Sequence, residues 1–121
     1  MAVSIIGAQP AVNQSIPNLS AEAAREIVLC HEDVKKCEVY LFADNIIVAI
    51  RTEPIFFHSE NERLVRDIRE ELESFPNVRR VYITQDVSLY CELKKLNEQR
   101  QPKEKDLIKS VERIIKQIPY P

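Results

Sequence analysis

A single glycine, Gly7, is the feature that most restricts what this chain can fold into and bind. Walker A loops, dinucleotide-binding fingerprints and the GxxG clamp of KH domains all need glycines where the backbone approaches a phosphate closely. Residues 8–121 contain no glycine, so none of these motifs can be built there. The sequence therefore excludes the classical nucleotide-binding and KH functions.

The composition is typical of one globular domain: 121 residues, of which 45% are hydrophobic and 30% are charged. The formal net charge of -2 gives no overall basic field that would attract nucleic acid or anionic lipid. No apolar run reaches the roughly 18 residues that a membrane-spanning helix needs. We predict a flexible leader over residues 1–19 and a single domain over residues 20–121.

The first half of that domain is predicted to be a helix followed by a β-hairpin. Ser20 precedes a run of strong helix formers, and its hydroxyl can accept hydrogen bonds from the amides of the first turn. Alternating apolar residues then predict two strands, with the pair Asp44–Asn45 as the turn between them. Because the return strand over 46–50 is apolar on both faces, we expect the hairpin to be covered on two sides.

The second half predicts a helix, a strand and two further helices. Ser59 and Glu62 have the spacing of a capping box at the start of the second helix, and Asp86 or Ser88 can cap the third. A strand is predicted over 78–84, and the last helix is strongly amphipathic. The resulting order α-β-β-α-β-α-α predicts an α+β fold, in which helices pack on a small sheet made of an antiparallel hairpin plus one strand. The strand order and the direction of the third strand stay open.

The sequence contains few combinations of side chains that could carry out catalysis. Cys30 and His31 are the only adjacent thiol and imidazole, and neighbouring residues of a helix point about 100° apart, which argues against a catalytic dyad. Cys30, Cys37 and Cys91 are interpreted as packed thiols, with a Cys30–Cys37 disulfide left open for an exported protein. We predict no catalytic residue, no cofactor and no metal site. A small thiol- or metal-dependent enzyme centred on Cys30 and His31 is the alternative.

An apolar connector between the second strand and the second helix is the candidate interaction surface. Ile55, Phe56 and Phe57 follow Pro54 directly in the segment 53–59. Such residues either pack over the edge of the core or remain exposed for a partner. An open edge strand of the hairpin could also recruit another chain by strand addition. We expect a protein partner or a second copy of the chain, and no small-molecule substrate.

A second surface is a candidate basic patch formed by Lys35, Lys36, Arg79 and Arg80. It would make the chain a soluble nucleic-acid-binding or regulatory module. No interleaved aromatic motif of the kind found on RNA-binding strands accompanies these residues, so nucleic acid is not the expected partner. Solvated strand ends are the simpler interpretation.

Three segments resemble the YhcN/YlaJ sporulation-lipoprotein domain of endospore-forming bacteria. The run AAREIVLCHEDVKKCEVYLFADNIIVAIR is similar to the start of that domain, where a helix leads into a hairpin. The segments FPNVRRVYITQDVSLYCELKKL and ERIIKQIPYP are similar to its later strand–helix unit and its closing helix. The α-β-β-α-β core also looks like BON and ring-building-motif domains. The hairpin positions that carry the resemblance are Val34, Cys37, Val39, Asn45, Ile47 and Val48.

This resemblance implies a non-catalytic protein of the spore or cell envelope, at the forespore membrane, connected with spore formation or germination. Without it, the cytoplasm is the default expectation. Members of the family usually carry a lipobox cysteine near the N-terminus, whereas no cysteine precedes Cys30 here. Two alternatives follow: a membrane tether encoded upstream of Met1, or a soluble relative without one.

Overall fold

The structure is a computed structural model that describes residues 17–54, 57–99 and 104–119. The predicted leader therefore lies almost entirely outside the described residues. The element order confirms the predicted α+β class. The elements are α1 (Ala21–Leu29), β1 (Val34–Phe42), β2 (Asn45–Thr52), α2 (His58–Glu73), β3 (Arg80–Thr84), α3 (Val87–Glu98) and α4 (Glu104–Lys116).

The three strands form one mixed sheet with β2 in the centre. β1 runs antiparallel to β2, as expected of a hairpin, whereas β3 runs parallel to β2. The helix α2 makes the crossover that a parallel neighbour requires. The structure thus settles the strand order and direction that the sequence leaves open.

Helices cover both faces of this sheet, because β2 sends alternate apolar side chains to opposite sides. Ile46, Val48 and Ile50 are buried in a core shared with α1 and α2, which we call the first core. Ile47 and Ala49 are buried in a second core shared with α3 and α4. The prediction of a hairpin covered on two sides is confirmed.

The hairpin turn lies one residue earlier than the sequence predicts. Phe42 pairs with Asn45, so the two-residue loop is Ala43–Asp44, and Ala43 takes the positive φ of 56°. A left-handed residue other than glycine costs about 1–2 kcal/mol. The register explains why this cost is tolerated, since a shift of one residue would turn every apolar side chain of β2 to the opposite face.

The main chain of the turn is also tied to β3. The carbonyl oxygen of Asp44 accepts hydrogen bonds from the amides of Arg79 and Arg80, at 2.7 Å and 3.4 Å. This contact holds the start of β3 beside the start of β2.

Two of the predicted helix caps are present. The hydroxyl of Ser20 accepts from the amide of Ala23 at 3.0 Å. The carboxylate of Asp86 accepts from the amides of Ser88 and Leu89, at 2.8 Å and 3.1 Å, and from the hydroxyl of Ser88. The hydroxyl of Ser88 contributes most to lowering the pKa of Asp86, and the two amides add to it.

The predicted cap of α2 is wrong. The helix begins at His58, and Phe57 occupies the cap position without a side-chain hydrogen bond. Ser59 therefore lies inside the first turn. The imidazole of His58 instead pairs with Glu62 one turn later, at 3.3 Å.

Leu19, the last residue of the predicted leader, packs against the domain. This side chain is buried in the first core. Its amide donates to the Asn77 side-chain oxygen at 2.7 Å, and the Asn77 side-chain nitrogen donates to the Leu19 carbonyl oxygen at 3.1 Å. The packed domain therefore begins before Ser20.

Candidate interaction surface

The predicted apolar connector is visible at one of its three residues. Ile55 and Phe56 lie outside the described residues. Phe57 has a side chain that is 66% exposed. Its carbonyl oxygen accepts from the amides of Glu60 and Asn61, at 3.1 Å and 3.2 Å. The backbone of Phe57 is thus fixed to the start of α2 while its ring stands in solvent.

Phe57 lies on the rim of an open cleft of about 490 Å³ on the α1/α2 side of the sheet. Three separate segments form it: the loop between α1 and β1, the end of the β2–α2 connection and the first half of α2. We call it the Phe57 cleft. Its lining residues are His31, Glu32, Asp33, Pro54, Phe57, Glu60, Arg63, Leu64 and Asp67.

The Phe57 cleft is predominantly acidic. Four carboxylates line it, and Arg63 and His31 are its only basic side chains. Within the described part of the chain, none of these four carboxylates has an ion-pair partner. Unpaired charges of one sign in a concave surface concentrate the field that they create. The cleft therefore attracts cationic groups. The four carboxylates are those of Glu32, Asp33, Glu60 and Asp67.

The predicted alternative site at Cys30 and His31 has a different geometry from a dyad. Cys30 is an exposed free thiol at the end of α1. The Nε2 atom of His31 lies 2.7 Å from the Oε1 atom of Glu71 on α2. The imidazole is thus engaged with a carboxylate and joins one wall of the cleft to α2. Among the described residues, no group of three or more His, Cys, Asp or Glu side chains is arranged to hold a metal ion.

The remaining cysteines occupy contrasting environments. The interpretation as packed thiols is confirmed for Cys37, which is fully buried in the first core, and is wrong for Cys30 and Cys91, which are exposed. Burial raises the pKa of the Cys37 thiol from 9.0 to about 11, against the smaller opposing effect of the Arg25 charge. At neutral pH this thiol is protonated, and it packs as a small apolar side chain. All three cysteines are free thiols.

The structure does not bring the four residues of the candidate basic patch together. Lys36 pairs with Arg51 near the end of β2, and Arg80 pairs with Asn45 at its start. Six residues of strand separate these positions, which is about 20 Å at the usual rise. Since β1 and β3 run in opposite directions, their first residues lie at opposite ends of the sheet. Lys35 is the chain neighbour of Lys36 and lies at the same end of the sheet. Arg79 is the chain neighbour of Arg80 and lies at the other end.

The lysine pair at the start of β1 is also partly neutralised. The ammonium group of Lys35 lies 3.5 Å from the carboxylate of Glu53. The four residues therefore form two separate pairs at opposite ends of the sheet rather than one contiguous patch.

The outer edge of β1 is covered by side chains, which the sequence does not predict. The guanidinium of Arg25 donates to the carbonyl oxygen of Cys37 at 2.7 Å, and the amide of Asn97 donates to the carbonyl oxygen of Val39 at 3.0 Å. Glu38 joins the two, at 3.8 Å from Arg25 and 2.9 Å from Asn97. These contacts occupy two of the main-chain acceptors that an added strand would need.

The opposite edge of the sheet carries a similar contact. The Nε atom of Arg69 on α2 donates to the carbonyl oxygen of Val81 in β3 at 3.5 Å. Arginines from both helices of the α1/α2 layer thus reach the two edge strands.

Comparisons with known protein families, curated proteins and solved structures find no match. The sporulation-lipoprotein resemblance stays a prediction. No helix in the described ranges is long and apolar enough to cross a membrane. The fold and the site define an α+β domain with an acidic cleft and an exposed aromatic side chain at its rim.

Proposed function

We propose that this chain is a non-catalytic interaction domain that binds a protein partner at the Phe57 cleft. The observation that supports this most is the exposed ring of Phe57 on a backbone fixed by α2. Burying a phenylalanine side chain contributes about 1.5–3 kcal/mol, so a partner that covers the ring gains that free energy. Because the backbone is already ordered, docking incurs little further loss of conformational entropy there.

The polar groups of the cleft support binding rather than turnover. A nucleophile needs a base within hydrogen-bonding distance and a third group that orients the base. In the cleft, the imidazole of His31 is paired with Glu71, while the Cys30 thiol is not among the lining groups. The lining carboxylates and the aromatic rim instead offer charge and apolar area, which are what a protein interface uses.

A site-selective photo-crosslink tests this proposal. A photoreactive phenylalanine analogue is placed at position 57 and, as the matched control, at position 87. Val87 is also exposed, at 51%, but lies at the start of α3 on the other side of the sheet. In cells that express the chain, we expect a discrete adduct from position 57 and none from position 87.

The adduct must be identified and must form again from the two purified proteins. Equal adduct yields at both positions, or an adduct that purified components do not reproduce, would contradict the proposal. The spore-envelope setting is supported by the sequence resemblance alone. Identification of a partner that is not an envelope protein would remove that setting while leaving the interaction role intact.

A further inference from the structure

We infer that the occupant of the Phe57 cleft is a second copy of this chain, which presents the outer face of its helix α4. This inference rests on the proposed function, because it uses the same cleft. It follows from a match between two sets of charges that lie on opposite sides of one domain.

The first set lies on α2 and consists of Glu60, Arg63 and Asp67, which we call the α2 triplet. These residues are spaced by three and then four positions, so they share one face of the helix. All three line the Phe57 cleft. Their signs along the helix are negative, positive and negative.

The second set lies on α4 and consists of Lys109, Glu112 and Lys116, which we call the α4 triplet. The spacing is again three and then four positions, and all three side chains are exposed. Their signs are positive, negative and positive. In the described ranges, no residue of the α2 or α4 triplet has an ion-pair partner.

The two triplets are complementary at every position when α2 and α4 of a second copy lie side by side and parallel. From its first to its last member, each triplet covers seven residue steps, or about 10.5 Å along a helix axis, so the three opposite charges meet in register. The half-buried Ile108 precedes Lys109, and this register brings it to the level of Ser59, about 3 Å along the helix axis from Phe57. Apolar contact and charge pairing therefore favour the same arrangement.

The arrangement is head-to-tail, because the cleft belongs to the α1/α2 layer and the α4 triplet to the α3/α4 layer. Each bound copy still offers its own free cleft, so the contact builds an open chain or a ring rather than a closed two-fold dimer. Exposed ion pairs are individually weak and are screened by salt. We therefore expect association at high protein concentration that weakens by about tenfold or more between ~50 mM and ~500 mM salt.

Charge reversal on each surface provides the test, with sedimentation velocity on the full chain as the measurement. One variant carries Lys109→Glu with Lys116→Glu, and the other carries Glu60→Lys with Asp67→Lys. We expect each variant alone to be monomeric at the concentration where the unmodified chain associates. An equimolar mixture of the two should associate again, because both contacts of the mixture pair opposite charges.

A matched control changes charge outside both triplets. Glu26→Lys with Glu98→Lys alters two exposed carboxylates and should leave association unchanged. Circular dichroism must show that every variant keeps the fold. A variant that unfolds is replaced by the neutral pair Lys109→Gln with Lys116→Gln, which should still weaken association.

The results separate this inference from the proposed function. A chain that stays monomeric at about 1 mM in low salt, or a mixture that does not recover association, overturns the second copy as the occupant. The site-selective adduct at position 57 would then still support a different protein partner. Self-association that persists in Phe57→Asp, without any adduct at position 57, would contradict both proposals.

Discussion

The two faces of the sheet are packed with different kinds of side chain, although β2 contributes residues to both. On the α1/α2 face, the buried residues of the first core are aliphatic apart from Cys37. On the α3/α4 face, the small Ala49 lies among the rings of Tyr82 and Tyr90. The guanidinium of Arg51 stands 5.9 Å from the centre of the Tyr90 ring. One face is a closed aliphatic core, and the other combines apolar packing with polar groups at its margin.

Because the two faces differ, the two helix layers contribute differently to the fold. The aliphatic face carries most of the packing that fixes the fold, because its side chains fill the space between the sheet and two helices with no polar atoms to satisfy. The second face ends in groups that keep one polar end in water, as tyrosine and arginine do. Four measurements test the comparison, and they are taken in order of expected effect.

The largest effect is expected from cavities placed in the two cores. Ile68→Ala in α2 should lower the free energy of unfolding by about 3–4 kcal/mol, and Ile114→Ala in α4 by about 2–3 kcal/mol. Both side chains are essentially fully buried. Ile68 is enclosed between the sheet and the helices, so its cavity stays open. Helix α4 lies at the edge of the domain and can shift to fill part of the cavity left by Ile114. Denaturant unfolding measures both values, and a larger loss at Ile114 would break the comparison.

The second effect concerns the thiols. In the native chain at neutral pH, Cys30 and Cys91 should react with a thiol reagent at once, and Cys37 at least about 100-fold more slowly. The raised pKa lowers the thiolate fraction of Cys37 at neutral pH, and burial keeps the reagent away from its sulfur atom, so both effects slow the reaction. Equal reaction rates at all three positions would show that the first core opens readily.

The raised pKa of Cys37 also sets a pH dependence. The unfolded thiol ionises at its ordinary pKa of 9.0 and the folded one at about 11. Stability from this group is therefore present in full below pH 9.0 and is lost as the pH rises towards 11. Cys37→Ala should reduce this alkaline loss and leave the part due to Tyr40, whose pKa is also raised by burial.

The smallest effect is expected at the covered edge of β1, where each layer contributes one side chain. Arg25→Ala should cost about 1 kcal/mol and Asn97→Ala somewhat less, because both donors are partly exposed to water. Chemical denaturation measures the two variants, and the double variant should aggregate more readily, since it uncovers the carbonyls of Cys37 and Val39. If the single variants have the same free energy of unfolding as the unmodified chain, the side chains at this edge have no protective role.

Much of the fold follows from local sequence signals. The apolar run of β2 predicts a strand covered on both faces, and the caps at Ser20 and Asp86 are where local hydrogen bonding places them. The errors are displacements of one or two residues. The register of the sheet moved the hairpin turn to Ala43–Asp44, and Phe57 replaced Ser59 as the cap of α2. In both cases a weak local preference yielded to the fixed geometry of its neighbours.

The candidate site was only partly predictable. The apolar connector identified Phe57, but the acidic cleft beside it draws Asp33 and Asp67 from segments that the sequence does not connect. The basic patch was not formed because the direction of β3 decides where Arg80 lies, and no local pattern encodes that direction. Asn97 reaches β1 across 58 positions of sequence, which no spacing rule can reveal.

The reciprocal contact between Leu19 and Asn77 has a practical consequence for handling this molecule. Asn77 lies just beyond the last turn of α2, and Phe57 lies at the other end of that helix, about 24 Å away over 16 residues. A label attached at Pro17 itself would therefore start beside this contact, at the end of α2 opposite to Phe57.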